Sequence, residues 1–464
     1  MSDTVKEATV AKEPYVCTKK EQLGHAIGVL GHDANNTMRG YTLPFLTDIL
    51  MLPSAFLVVL TTVAQILDAF TDISMGVIAD RTRSRWGRFR PWLLRAGPIF
   101  CLLTVLCFVK LPIGVVGMCI FAGIMYFSSG SLAFTAVDIP FWSLPAAMTS
   151  NTDERSSIIG STTTASSLIT GLIGIVVPLG LAYFGEFKWT SYLYIALPIG
   201  IFGVITYLCC FKMVREHVVP DDSVKFSLKL GLKGIFTNQP LLCVQLSNVF
   251  FLLAIILRSY LNYYYCSYNL GNVALAAGLN TINTVGMVAG ALLFTVLAKH
   301  LGKRNCLFIS AAVSVVSNLV LYFVGWSNLT VLFICAAVTT VGIGFGYVCV
   351  NAMIADTIEY GEWKTGQRNE AMITSTRCFV TKCVGALASM LVLSFIGLTG
   401  FVPQAAEQTI GALNGFHFLY ALLPAIVMIL AVAPMLFYKL TEKRHAEIIA
   451  ELAARKASKD KNGN

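Results

Sequence analysis

Long apolar segments alternate with short polar ones along almost the whole chain. Each apolar run is about 18–25 residues long, enough to cross a hydrocarbon core of about 30 Å. Backbone polar groups in lipid must be hydrogen-bonded within their own segment, so such runs should be α-helices. The pattern predicts twelve of them, near residues 24–47, 54–79, 92–111, 115–143, 158–184, 191–211, 240–264, 273–298, 304–324, 329–353, 371–397 and 414–438.

Composition supports this all-α membrane protein. Of the 464 residues, 56% are hydrophobic and 13% are charged, whereas soluble domains carry about 25% charged residues. The net charge of +9 comes from basic residues in short loops between apolar segments, so we expect no nucleic-acid partner. The 13 cysteines are scattered without a C-x-x-C motif, which favours buried free thiols. We expect a multi-pass protein of a bacterial inner membrane, with lipid around it.

The basic loops predict orientation. Cations cluster after the second, sixth, eighth, tenth and twelfth predicted helices, and the intervening loops are nearly bare. By the positive-inside rule both termini are then cytoplasmic. The longest polar connection divides the chain, and we predict these units: an N-terminal extension 1–23, a six-helix bundle 24–211, a central loop 212–239, a second bundle 240–438 and a tail 439–464.

The two halves also echo each other. The segment with Gly76, Asp80 and Arg81 follows the second helix, and a shorter AKHLGKRN segment at 298–305 follows the eighth. Parallel six-helix repeats are a transporter plan in which the substrate binds between the halves.

Several charges lie inside apolar segments, where each costs about 2.5–3.5 kcal/mol and is therefore a candidate functional residue. The first half offers Asp33, Asp68, Asp72 and Asp138. The second half offers Lys382, with Arg377 five residues earlier.

Asp68 and Asp72 are four residues apart and share one helix face. Two such carboxylates repel, which favours a site for Na⁺ or H⁺, with Li⁺ also open. The alternative is that they cap or pair with a neighbouring helix. Lys382 could neutralise them as a structural ion pair that an entering cation loosens.

Asp138 precedes Pro140, which bends a helix, and Trp142 follows one turn later. A carboxylate beside an aromatic face suits a sugar, although a kinked helix with an interfacial tryptophan is the alternative. His32, next to Asp33, could be a proton switch, but a neutral hydrogen-bonding role is favoured. Snorkelling to an interface explains Arg258.

Two further arginines lie at or near membrane depth. Arg39 and Arg377 could pair with the aspartates, or they could bind an anionic substrate.

Three stretches resemble a known family: LDAFTDISMGVIADRTRSRWGRFRPWLL, VDIPFWSLPAAMT and MIADTIEYGEWKTGQRNEAM. They are similar to motifs of the glycoside–pentoside–hexuronide:cation symporters, the melibiose permease-like branch of the major facilitator superfamily. The resemblance spans both halves in the right order. It implies the major facilitator fold with twelve transmembrane helices, and symport of a sugar or glycoside with a cation by alternating access.

The resemblance also implies roles for individual residues. Asp68 and Asp72 match the cation-binding carboxylates, and would hold the metal ion if the coupling ion is Na⁺. Other residues match substrate-binding positions or lie beside them: Asp33, Asp138, Trp142, Tyr347, Lys382 and Arg377. A cytoplasmic gate would involve Asp80, Arg81, Arg85, Asp356 and Glu359.

Some positions depart from the family pattern. The helix-five region lacks a sugar-contacting arginine, and Thr163 falls near that place. Gln65 replaces an arginine one turn before Asp68, while Arg39 and Arg377 are added. A neutral glycoside and an acidic, hexuronide-like sugar therefore both stay open, as does an amphiphilic solute. A remote alternative is a membrane sensor that does not transport. We expect no enzyme activity, no cofactor beyond the coupling ion and no obligatory protein partner.

Overall fold

The computed structural model describes residues 17–149, 151–217, 238–365, 370–405 and 407–461. These residues are mainly helical, as the hydropathy pattern predicts. The long helices are α1 Lys19–Arg39, α2 Ser54–Arg81, α3 Arg90–Leu106, α4 Gly114–Met148, α5 Thr152–Phe184, α6 Trp189–Met213, α7 Gln239–Tyr264, α8 Leu275–Leu301, α9 Lys303–Val324, α10 Leu329–Thr365, α11 Glu370–Leu398 and α12 Ile410–Phe437, with a tail helix α13 Glu442–Lys461.

Ten of the described helices are long and apolar enough to cross a membrane. The other two predicted spans correspond to α3, which has 17 residues, and to α1, which is rich in polar side chains. The count of twelve spans, the cytoplasmic termini and the domain boundaries therefore stay predictions. Most of the predicted N-terminal extension and central loop lies outside the described residues.

Four π-helical turns interrupt the regular helices in the part of the chain that is described. They cover Phe45–Ile49 after α1, Ser128–Phe134 inside α4, Tyr265–Asn269 after α7 and Phe418–Leu422 inside α12. A π turn inserts a residue and changes which side chains face a neighbouring helix, and such turns are frequent at functional sites. In α4 the turn is followed by Thr135, whose side chain contacts α2.

The helices pack both within each predicted half and across the two halves. In the first half α1 packs against α5 and α6, and in the second α10 packs against α8 and α9. Helices α8 and α10 approach closely because glycines lie at their contact. A Cβ at Gly290 of α8 would overlap the carbonyl oxygen of Val341 of α10. Across the halves, α2 packs against α11 and α5 against α8. These contacts enclose a chamber between the halves.

The α2–α3 loop with its arginines marks one end of the bundle, which we call the basic end. The opposite, far end is closed by hydrogen bonds between the halves. The Tyr268 hydroxyl donates to Oδ2 of Asp48 at 2.8 Å, and the hydroxyls of Thr47 and Tyr264 are 2.7 Å apart. We call the following residues the far-end seal: Thr47, Asp48, Glu186, Tyr192, Tyr263, Tyr264, Ser267, Tyr268 and Gln404.

Candidate functional site

The paired carboxylates of α2 face the chamber on one helix side, as their spacing predicts. Asp72 forms an ion pair with Lys382 of α11, so the contact crosses from one half to the other. Its Oδ1 also accepts a hydrogen bond from the Thr135 hydroxyl at 3.0 Å. The predicted neutralisation by Lys382 is therefore present in this structure, and it involves Asp72.

Asp68 has a different environment. Its Oδ1 is buried and has no hydrogen-bond partner among the described residues. It lines a cavity of about 140 Å³ together with Gln65, Lys382 and residues of both halves. A buried carboxylate oxygen without a partner is costly, so this atom is a candidate for binding a proton or cation.

Arg39 lies in the same cavity. Its guanidinium is 4.9 Å from the ring centre of Phe134, and one nitrogen contacts Asn36 Oδ1 at 3.3 Å. Gly130 makes room for it, because a Cβ there would overlap Nη1 of Arg39. Arg39 thus adds a positive charge to the wall that holds Asp68.

His32 brings the predicted substrate carboxylates together. Its Nε2 is 3.0 Å from Oδ1 of Asp138 and 3.9 Å from Oδ1 of Asp33, while Nδ1 is 2.8 Å from the Tyr207 hydroxyl. A neutral imidazole can satisfy this arrangement by donating from Nε2 and accepting at Nδ1. Asp138 and Trp142 remain 32% and 40% exposed.

The other predicted substrate residues of the second half lie on α10 and α11. Tyr347 is half-buried on α10, and its carbonyl oxygen accepts from the Asn351 amide at 2.7 Å. Arg377 donates to Oδ1 of Asn351 at 2.7 Å and is exposed. Asn351 thus links Arg377 to the backbone of Tyr347, and the hydrogen-bond partner of Arg377 is the Asn351 side-chain amide.

A larger cavity of about 360 Å³ joins the two halves between α1, α5, α7 and α8. Most of its lining surface is apolar, but several polar side chains face it, including Asn36, Thr37, Asn280 and Thr284. A second cavity of about 240 Å³ shares Asn36 with it and reaches Arg39. The lining residues therefore connect the large cavity to the Asp68 cavity through Arg39.

The predicted gate residues lie at the basic end. Arg81 and Arg85 are exposed, and the side chain of Asp80 lies outside the described residues. Asp356 pairs with Lys303 at 2.5 Å, and Glu359 contacts His445 of the tail helix. Asp356 and Glu359 thus tie α10 to α9 and α13 within the second half.

The snorkelling explanation of Arg258 is wrong. Its side chain is only 4% exposed and lies inside the second half, 4.9 Å from the ring centre of Tyr420. The position of a residue along a predicted helix indicates its depth in the membrane but not the direction in which its side chain points. The side chain of Arg258 points into the helix bundle.

Sequence reasoning also missed Thr135 and Asn36. Thr135 could have been suspected from its position one turn before Asp138, but its contact with Asp72 depends on the π turn. Asn36 lies one turn after Asp33 on α1. A sodium ion here would draw on Asp68, Asp72 and the Thr135 hydroxyl. No cluster of three or more histidine, cysteine, aspartate or glutamate side chains suited to a metal occurs within the described ranges.

Comparison with known proteins adds the family. The model of the family described as MFS/sugar transport protein matches residues 24–442. The uncharacterized symporter YjmB of Bacillus subtilis (strain 168) is 32% identical over 93% of this chain and 95% of its own length. The glucuronide carrier protein homolog of Escherichia coli (strain K12) is 28% identical, covering 94% of this chain and 95% of its own.

The isoprimeverose transporter of Lactiplantibacillus pentosus is 30% identical over 90% of this chain and 88% of its own. Among solved structures, the nucleoside transporter NupG superposes with a TM-score of 0.63 at 13% identity, covering 90% of this chain and 99% of that one. At that identity the likeness concerns the fold alone.

Proposed function

Since this chain belongs to the MFS/sugar transport protein family, whose activity is membrane transport of the sugar-symporter type, we propose that it carries a sugar together with a cation. The observation that carries the proposal is the state of the two α2 carboxylates. Asp72 is paired across the chamber with Lys382, while Oδ1 of Asp68 is buried without a partner among the described residues. Lys382 and Arg39 balance the charge of the two carboxylates, but neither hydrogen-bonds to Oδ1 of Asp68, and this oxygen is the atom that a cation or proton could bind.

The cation would enter at Asp68 and compete with Lys382 for Asp72. Both partners of the pair are partly exposed, 33% for Lys382 and 27% for Asp72, so the pair can separate without passing through a dry environment. Because the pair joins α2 to α11, its separation changes a contact between the halves. This is how cation binding would bias alternating access.

The sugar would bind at Asp33, Asp138 and Trp142. Carboxylate oxygens accept hydrogen bonds from hydroxyls, and the exposed indole offers an apolar face to the ring. His32 fixes the orientation of Asp138. The relatives named for a glucuronide and for isoprimeverose support a sugar or sugar derivative as the solute.

The far-end seal is closed while Asp138 and Trp142 are solvent-exposed. We take this to be the conformation in which the substrate site is reached from the basic end, which the loop charges predict to be cytoplasmic. The opposite conformation would break the seal and close the basic end around the predicted gate.

Counterflow in proteoliposomes tests the proposal. A panel of hexoses, pentoses, disaccharides and uronates is exchanged with and without Na⁺ and at several pH values. We expect saturable exchange that depends on one cation. Asp68→Asn should abolish the cation dependence, whereas Asp33→Asn should weaken sugar binding at least tenfold.

The matched control is Glu407→Gln, which neutralises an exposed carboxylate in the loop before α12. It should leave exchange and cation dependence unchanged. An Asp68→Asn protein with the wild-type response to both Na⁺ and pH would contradict the cation assignment. If exchange by the wild type depends on pH but not on Na⁺, the coupling ion is the proton.

A further inference from the structure

Arg258 of α7 is a buried charge without a hydrogen bond. None of its three side-chain nitrogens has a hydrogen-bond partner in the part of the chain that the structure describes. Its guanidinium lies 4.9 Å from the ring centre of Tyr420 and near that residue's hydroxyl, which is too far away for a normal hydrogen bond. A cation over an aromatic face is attracted to it, but five N–H donors stay unsatisfied. Burial of such a group is unfavourable unless something pairs with it.

A cavity of about 200 Å³ adjoins Arg258, and we call it the Arg258 recess. Its polar lining residues besides the arginine are hydroxyl or amide side chains, and the others are apolar: Ile255, Ser259, Asn283, Thr284, Met287, Thr340 and Ile343. None of these lining residues is acidic. The guanidinium nitrogens are themselves covered, so Arg258 must turn toward the recess to meet an anion, for which the nearby hydroxyl and amide groups are further donors.

The recess opens on the substrate chamber. Ser259, Asn283 and Thr284 line both the recess and the 360 Å³ cavity that reaches Asn36 and Thr37 of α1. A solute bound to the first half can thus extend toward α7. Asp33 lies one turn before the cavity-lining Asn36 on α1, and its negative charge would repel an anionic group, which favours the α7 side as the place for one.

We propose that the Arg258 recess binds the carboxylate of an acidic sugar, so that the transported solute is a uronate or uronide. This inference rests on the proposed function of the chamber. The guanidinium fork matches the two oxygens of a carboxylate, and the nearby hydroxyl and amide groups supply further donors. The sugar hydroxyls would face Asp33 and Asp138. One solute would then contact both halves, with its acidic end toward the second.

Binding to the purified protein in nanodiscs, measured by calorimetry, tests the assignment. The probes are two pairs that differ only at C6: D-glucuronate with D-glucose, and D-galacturonate with D-galactose. The wild type should bind at least one acid tenfold or more tightly than its neutral partner. Arg258→Gln should weaken acid binding about tenfold to a hundredfold, as expected for loss of charged hydrogen bonds. Binding of the neutral sugar should change less than about threefold.

Arg258→Lys keeps the charge and loses the fork, so acid affinity should fall less, about threefold to tenfold. If Arg258→Gln does not fold, the acid affinity of Arg258→Lys still tests the assignment. Arg215→Gln, which removes an exposed arginine at the basic end, should change neither affinity.

Three results would overturn the assignment. The first is a wild type that binds neutral hexoses at least as tightly as the acids while sugar counterflow persists; this would leave the proposed function intact. The second is an Arg258→Gln protein that loses acid and neutral binding equally, which would indicate a structural role beside Tyr420. A wild type that exchanges no sugar of either kind would contradict the proposed function itself, and the inference with it.

Discussion

The two halves of the molecule meet through two different kinds of contact. The far-end seal consists mainly of neutral hydroxyl groups, and its members Tyr192 and Tyr264 are fully buried. The mid-chamber contact is the ion pair of Asp72 and Lys382, which is about one-third exposed. The seal excludes solvent mainly through hydrogen bonds between neutral groups, whereas the ion pair is open to competition from an ion that enters the chamber. If the proposed cation coupling holds, closing the chamber and sensing the cation take place at separate contacts.

The largest expected effect comes from removing the charge of Lys382. Lys382→Met leaves Asp72 without its partner, and we expect concentrative uptake to fall at least tenfold. Because the pair is partly exposed, the loss in stability should be about 1–2 kcal/mol, below that of a fully buried pair. Thermal unfolding in detergent measures it.

The double variant Asp72→Asn with Lys382→Met is the control. It removes both charges and should recover most of the lost stability but none of the cation-driven uptake. Full uptake in the single variant would show that the ion pair has no part in transport.

The next effect comes from the seal. Tyr268→Phe removes the hydroxyl that donates to Asp48, a carboxylate that is 0% exposed. Without this donor, the buried carboxylate of Asp48 has one unsatisfied hydrogen-bond acceptor, which should destabilise the closed state by about 1–3 kcal/mol. A Thr284→Cys probe in the chamber, with native cysteines replaced, should then be labelled about fivefold or more faster by an impermeant thiol reagent added at the far side.

Tyr183→Phe provides the matched control, because Tyr183 is 84% exposed on α5. Equal labelling rates in the Tyr268→Phe and Tyr183→Phe proteins would mean that the Tyr268 hydroxyl does not hold the seal.

A smaller effect should follow from pH. Glu186 lies in the loop between α5 and α6 and contacts Ser267 across the seal. Burial raises the pKa of Glu186 above its ordinary value, although the Ser267 hydrogen bond opposes the shift. The sealed state therefore binds this proton more tightly than a state in which Glu186 is solvated. The seal should be firmest at low pH and should weaken as pH rises through the raised pKa.

Far-side labelling of Thr284→Cys across the acid range measures this dependence. Because the thiolate fraction of the probe itself rises with pH, the wild-type rate is divided by the rate of a Glu186→Gln protein carrying the same probe, and this ratio should rise with pH. The idea fails if the ratio is constant or falls as pH rises.

The smallest effect belongs to a neutral contact between the two regions. The Gln65 amide donates to the Ser389 hydroxyl at 3.1 Å, joining α2 to α11. Ser389→Ala removes this bond at an expected cost of about 0.5–1.5 kcal/mol. Cation dependence of counterflow should be unchanged. A loss of that dependence as large as in Lys382→Met would place the cation response outside the ion pair.

The hydropathy pattern was sufficient to predict the all-helical fold, because long apolar runs permit little else in lipid. Asp68 and Asp72 were predicted from their spacing and from the cost of intramembrane charge. The pairing of Lys382 was anticipated on the same grounds, since few groups in such a chain can neutralise a carboxylate.

The seal and Arg258 could not be found in this way. Thr47 and Asp48 contact tyrosines 217 and 220 residues away along the chain, and tyrosines near helix ends are common in any membrane protein. The contact of Thr135 depends on a π turn, which no periodicity predicts. For Arg258 the error was to assume that the residue faces the membrane surface rather than the bundle.

The central claim is that cation and sugar share one coupled site built around Asp68. The most direct test is the sugar dissociation constant of the purified protein, measured by calorimetry at low and saturating cation, in the wild type and in Asp68→Asn. The account predicts that saturating cation lowers the sugar dissociation constant of the wild type. Sugar should lower the cation dissociation constant by the same factor. In Asp68→Asn, cation should leave the sugar dissociation constant unchanged. A cation effect of the same size in both proteins would contradict it.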